Sequence, residues 1–217
     1  MQTFQEFIDT SITDAPVRGY LHLALAGADC LILTHGAGSN CQSPLLTALA
    51  EVFSASGVTV LRCDLPFRQT RPHGPPPPGS AKRDQEGLRS AVVAMRKHTA
   101  GRIFLGGHSY GGRQASMLAA AEPGLVERLL LLSYPLHPPK RPQELRTQHL
   151  PALQTPALFV QGTRDGFASI AEMEAALKLI PARTQLLPIS DAGHELMTKR
   201  NRDELPQAVI KEFLTFA

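Results

Sequence analysis

A chain of 217 residues, 43 % of them hydrophobic, is long enough to bury one real core and has the composition of an ordinary globular domain. A net charge of +3, carried by scattered basic residues and short pairs such as Lys82-Arg83 and Lys199-Arg200, excludes a nucleic-acid footprint. The three cysteines, Cys30, Cys41 and Cys63, are odd in number and lack C-x-x-C spacing, which excludes a disulfide framework and a zinc knuckle.

Residues 1–20 hold Glu6, Asp9 and Asp14 where a secretory signal would have a basic start and an apolar run, so a cytoplasmic location is expected. No stretch approaches the roughly 18 apolar residues of a membrane span. Val17–Leu25 reads as an early strand, and Cys30–Thr34 as a short buried one that ends at His35-Gly36-Ala37-Gly38. Ser43-Pro44 then opens a helix, Ser as the cap and Pro at the first helical position, and Gly57 stops it. Val58–Arg62 is the next strand. The segment from Asp64 to Ser80 contains Pro75-Pro76-Pro77-Pro78, which fits neither a helix nor a central strand, and is expected to be an extended loop.

Lys82–His98 reads as a helix with Leu88, Val92, Val93 and Met95 on its inner side. Arg102–Gly106 is a strand that runs into Gly107-His108-Ser109-Tyr110-Gly111, and a helix of small residues follows to Ala121. A G-x-S-x-G between strand and helix is the pattern of a nucleophile elbow, in which a sharp turn presents the serine hydroxyl. Leu129-Leu130-Leu131-Leu132 within Arg128–Ser133 is the unbroken run of a strand covered on both faces. Ala157–Gln161 and Gln185–Pro188 read as two later strands, Ala168–Ile180 and Glu204–Ala217 as two later helices. Strand and helix alternate throughout, without a repeat or linker. The expectation is a single α/β domain over 1–217, a mostly parallel sheet with helices on both faces.

A serine nucleophile needs a general base, and a histidine base needs an acid to fix its tautomer. With Ser109 as nucleophile, Asp165 is the leading acid, in Gly162-Thr163-Arg164-Asp165 just past a strand. His194 is the leading base, in Asp191-Ala192-Gly193-His194-Glu195 before the last helix. Asp191 and Asp64 compete for the acid role and Glu195 could touch the histidine. Asp191 is read as shaping its own turn, and Asp64 precedes Ser109 in the chain. The amides of Ala37 and Tyr110 are the expected oxyanion donors, with Gly36 and Gly38 letting backbone approach the substrate. His35 is expected to order that loop, His108 to point into the core, and His73 and His137 to be exposed. No histidine spacing suggests a metal site, and no cofactor is expected.

The His35–Gly38 loop, the Gly107–Gly111 elbow, the Gly162–Asp165 loop and the Gly193-His194 loop, in that order, resemble the α/β-hydrolase superfamily. Leu33–Gly38 together with Gly107–Arg113 is most similar to its small, compact members that neighbour dienelactone hydrolase. The dienelactone hydrolases proper carry a cysteine where this chain has Ser109. The resemblance implies an α/β-hydrolase fold and a Ser109–His194–Asp165 triad. Many relatives insert a helical cap after the strand matching Leu129–Leu132, but here only Tyr134 to Thr155 lies before the next strand. No large cap is therefore expected. The site should be shallow, bordered by that segment and by the Phe67–Gly79 loop, with Arg68, Arg71 and Arg113 available to an anionic substrate group. These readings converge on an esterase-type serine hydrolase (EC 3.1) acting on a small acyl compound, with no nucleic-acid partner. The alternatives are a thioesterase or peptidase using the same triad, and a hydrolase-fold binding module with little activity.

Overall fold

The protein is described from a computed structural model, which covers residues 4–12, 15–24 and 29–216. Eight strands form one sheet: β1 (Phe4–Asp9), β2 (Val17–His22), β3 (Cys30–Thr34), β4 (Thr59–Cys63), β5 (Ile103–His108), β6 (Arg128–Leu132), β7 (Ala157–Gly162) and β8 (Thr184–Ile189). Their spatial order is β1-β2-β4-β3-β5-β6-β7-β8. β1 and β2 run antiparallel at one edge, and every pairing from β4 to β8 is parallel. The helices are α1 (Pro44–Ala55), α2 (Pro66–Thr70), α3 (Ala81–Arg96), α4 (Tyr110–Ala121), α5 (Ile170–Leu177) and α6 (Glu204–Thr215). This is the α/β-hydrolase architecture without a cap. The Tyr134–Thr155 segment holds a single 3-10 turn, Leu150–Ala152.

The apolar strands divide their side chains between two cores, as alternation along a strand requires. Leu129 and Leu131 of β6 join Leu105, Phe159 and the inner faces of α3, α4 and α5. Leu130 and Leu132 join Phe104, Val160 and the inner faces of α1 and α6. The Ser43 hydroxyl accepts the Leu46 amide and Pro44 occupies the first turn, so α1 begins where the sequence placed it.

Several elements differ from the sequence expectation. β1 lay outside it, because only Phe7 of its six residues is buried and no two-residue apolar period survives. β2 ends at His22, short of the expected Leu25, which lies outside the described residues, as does Ala217 at the end of the last expected helix. The Asp64–Ser80 loop contains α2, opened by Pro66. α5 occupies only Ile170–Leu177 of the expected Ala168–Ile180. Val93 is 39 % exposed and not on the inner side of α3, since Leu88, Ala91, Val92 and Met95 already fill that face.

β4 carries a buried cation, Arg62, whose Nε donates to His22 Nε2 (3.0 Å) and whose Nη1 donates to the Cys41 carbonyl (2.6 Å) and Thr47 Oγ1 (2.9 Å). Burial and the Arg62 charge lower the pKa of His22 from 6.5 to about 4. Burial and Arg113 lower that of His149 likewise to about 4. Both imidazoles stay neutral when folded, whereas the unfolded chain takes up their protons below about 6.5. Folding stability should therefore be unaffected by these groups above pH 6.5 and fall as pH drops from 6.5 toward 4. Thermal melts across that window test this, and a flat profile contradicts it. His22→Gln should flatten part of the slope.

Candidate active site

The parallel strands β3, β5, β6 and β7 deliver four loops to one edge of the sheet, the edge where open α/β sheets place their sites. Ser109 follows β5 and caps α4 with φ 50° and ψ −115°, a left-handed conformation that costs a non-glycine residue about 1–3 kcal/mol. Its neighbours leave no room for side chains. A Cβ on Gly107 would lie 2.8 Å from the Thr34 carbonyl oxygen, and one on Gly111 would lie 2.5 Å from that of His35. The sharp turn exists because β5 and α4 can touch at these glycines.

The Ser109 hydroxyl donates to His194 Nε2 (2.8 Å), with the His194 ring carrying its proton on Nδ1. That Nδ1–H faces Asp165, with Oδ2 at 2.9 Å and Oδ1 at 3.1 Å. Asp165 is fixed from the other side. Gln161 Nε2 donates to its Oδ2 (2.9 Å) and the Phe167 amide to its Oδ1 (2.8 Å). The Phe167 ring stacks on His194 with centroids 4.0 Å apart. The carboxylate side chain is fully buried while His194 keeps 20 % of its own exposed. Asp191, the competing acid, pairs with Arg164 at the surface. Asp64 accepts the Cys41 amide (2.7 Å) and stands apart from His194.

His108 is buried, as expected. Its Nε2–H donates to the His194 carbonyl (2.8 Å), so this residue beside Ser109 ties down the loop that carries His194. Burial, the largest influence, lowers its pKa and keeps it neutral. His35 orders the Gly36–Gly38 loop. Its Nδ1–H donates to the Gly36 carbonyl (2.8 Å) and its Nε2 accepts the Leu65 amide (3.1 Å). That pairing fixes the neutral tautomer, which burial also favours. Gly36 lines the cleft, and a Cβ there would lie 3.0 Å from His108 Nδ1 and 3.5 Å from Ser109 Cβ. Gly38 has no such neighbour and opens to the cleft.

Ala37 and Tyr110 line the cleft together with Ser109. Among the described residues neither amide has an internal acceptor. The Tyr110 side chain turns away, its hydroxyl donating to Asp84 Oδ2 (2.7 Å) on α3. Asp84 Oδ1 also accepts the Phe67 amide (3.1 Å), so one buried carboxylate joins α2, α3 and α4.

Arg68 corrects the sequence expectation. It is buried, and its guanidinium donates to four backbone carbonyls: Ser39 (2.7 Å), Ala37 (2.8 Å), Arg71 (2.9 Å) and Gly74 (3.0 Å). A guanidinium used in this way is the brace of the Ala37–Ser39 loop and does not face a substrate. His137 is likewise buried, with Nδ1–H donating to the Pro138 carbonyl (2.8 Å), whereas His73 is exposed as expected.

A cleft of about 700 Å³ opens over Ser109 and His194. Its lining includes Pro75, Pro76, Pro135, Arg113, Arg146, Phe167 and Glu195. Of these, Arg146 and Phe167 gave no sequence signal, since both lie in irregular segments. Gln161 gave one in principle, as the polar residue ending an apolar strand. A larger hollow of about 880 Å³ between α1 and α6 is remote from this chemistry. No group of three or more His, Cys, Asp or Glu residues among those described is arranged to hold a metal ion.

A family model described as an alpha/beta hydrolase domain matches residues 27–216. Solved structures share the fold at low identity. A dienelactone hydrolase from Anabaena variabilis ATCC 29413 superposes with a TM-score of 0.77 at 22 % identity, covering 99 % of this chain and 98 % of that one. Est1E from Butyrivibrio proteoclasticus gives 0.75 at 17 % identity, covering 98 % of each chain. XC6422 from Xanthomonas campestris, an α/β serine hydrolase without a lid, gives 0.73 at 17 % identity over 97 % of this chain and 94 % of that one.

Proposed function

The chain belongs to the alpha/beta hydrolase family, and on that premise we propose that it is a serine hydrolase cleaving an ester or related acyl bond of a small molecule. The observation that carries this reading is the continuous hydrogen-bonded line from Ser109 Oγ through His194 to Asp165, at the head of a cleft that also presents two unpaired amides.

In this reading Ser109 Oγ attacks the carbonyl carbon and its proton passes to His194 Nε2. The carbonyl oxygen becomes an oxyanion held by the Ala37 and Tyr110 amides, with the N-terminus of α4 adding favourable potential. Collapse of the tetrahedral intermediate expels the leaving group, which takes the proton from His194. A water molecule then attacks the acyl-enzyme, His194 accepts its proton, and Ser109 is regenerated with release of the acid. Asp165 keeps Nδ1–H directed at itself and stabilises the transient imidazolium. The scheme draws on no metal or organic cofactor.

A fluorophosphonate probe tests the reading. Mass spectrometry should locate the adduct on Ser109, and labelling should be lost on denaturation. A folded protein that resists the probe would instead favour the binding-module reading. The acid assignment has its own test. Asp165→Asn should lower kcat by about ten-thousand-fold by stabilising the wrong tautomer. Asp191→Asn, at a solvent-facing turn, should stay within about twofold. Equal losses in both variants would refute the assignment of Asp165.

A further inference from the structure

Resting on the reading of Ser109 as an acyl-transfer nucleophile, we propose that the substrate carries an anionic group, a carboxylate or a phosphate, bound in the cleft by Arg113 and Arg146. Arg113 lies one helical turn beyond Ser109, its amide donating to the Ser109 carbonyl (3.0 Å), and both residues line the same cleft. Arg146 comes from the segment that replaces a cap, and both arginines line the cleft that holds Ser109 and His194.

What distinguishes these two from Arg68, Arg89 and Arg102 is how little of their hydrogen-bonding capacity is used inside the protein. Arg68 is saturated by four carbonyls, Arg102 is paired with Asp29, and Arg89 with Glu122. Among the described residues no carboxylate lies within ion-pair distance of Arg113 or Arg146. Arg113 Nε is buried with no hydrogen-bond partner at all. Arg146 has one weak contact, from Nη1 to the Pro135 carbonyl at 3.3 Å. The acid nearest in sequence, Glu144, is engaged by Arg141 (3.0 Å).

The two cations also feel each other. Burial and Arg113 depress the pKa of Arg146, and burial and Arg113 hold the adjoining His149 neutral. An orphaned guanidinium donor and a second guanidinium lining one small cleft suit the planar, multidentate acceptor set of a carboxylate or phosphate. Glu195, the one carboxylate lining the cleft, sits on the His194 loop and pairs with neither arginine.

The test compares an anionic half-ester, mono-p-nitrophenyl glutarate, with the neutral p-nitrophenyl valerate. The wild type should favour the half-ester in kcat/KM by about tenfold or more, and the ratio should fall to near one in R113Q/R146Q. Independently of turnover, glutarate and inorganic phosphate are titrated by NMR into the Ser109→Ala protein and into the same protein carrying R113Q/R146Q. Binding that is present in the first and lost in the second supports the site, and the tighter of the two anions identifies the group. A wild-type ratio near one, no binding of either anion, or binding that survives the double substitution overturns the proposal. Arginine-dependent binding without hydrolysis of any ester would instead count against the Ser109 reading. R146Q alone, at a half-exposed loop position, serves if the double variant does not fold.

Discussion

Ser109→Ala is expected to cut kcat on a p-nitrophenyl ester by roughly ten-thousand- to a million-fold while leaving the protein folded. The size follows from what is removed. Without Oγ there is no acyl-enzyme, His194 has nothing to deprotonate, and only the amides and the cleft remain to assist water. The substitution removes one oxygen from a side chain that is 9 % exposed, so melting temperature should change little. His194→Ala should give a loss of the same order and not compound it, because the two groups act as a unit. Residual activity above about one per cent in Ser109→Ala would move the chemistry to another residue.

Gly162→Ala is expected to damage fold and activity together. A Cβ at this position would lie 2.3 Å from the Ala192 carbonyl oxygen and 2.7 Å from that of Gly193, both backbone atoms that cannot swing aside. The same crossing is stitched by the Arg164 amide to the Ala192 carbonyl (2.9 Å) and the Thr163 amide to that of Ile189 (3.0 Å). Prising it apart separates the loop that carries Asp165 from the loop that carries His194. Overpacking of this kind costs about 2–3 kcal/mol, equivalent to roughly 5–10 °C in a chain of this size. A loss of kcat of about a hundredfold should accompany it, since a misplacement of about 1 Å suffices. Gly166→Ala is the matched control, because a Cβ there meets nothing within 4 Å. Similar melting temperatures and rates for the two variants would show that the crossing does not set the geometry of the acid and base.

Much of this was legible in the sequence because the physical demand was local. Four leucines in a row could only be a strand covered on both sides, and β6 divides them between the two cores. Gly107 and Gly111 announce a contact between strand and helix, and that contact exists. Asp165 and His194 were singled out from chain order and strand ends alone, and the fold brings Asp165 within hydrogen-bond reach of His194 and His194 within reach of Ser109.

What was missed depends on tertiary surroundings. Arg68 looked like a substrate arginine because nothing in its neighbours reveals that four carbonyls converge on it. His137 looked exposed because the prolines around it suggest surface, yet it is 5 % exposed. β1 lacks a readable pattern because Phe4 and Ile8 stay exposed at the sheet edge. His108 could not be recognised as a tether, since its partner is a backbone carbonyl 86 residues away.

The walls of the cleft have a kinetic meaning. Pro75, Pro76 and Pro135 line it, each with φ fixed by its ring, and among the described residues no capping helices stand above them. In the proposed reaction substrate entry and product exit would not wait on a moving cap. Bulk water would likewise reach an acylated Ser109 as freely as the substrate does, which would favour transfer of the acyl group to water over transfer to a second, scarcer acceptor. Discrimination then falls on the static floor of the cleft, where shape and charge must select before the chemistry begins.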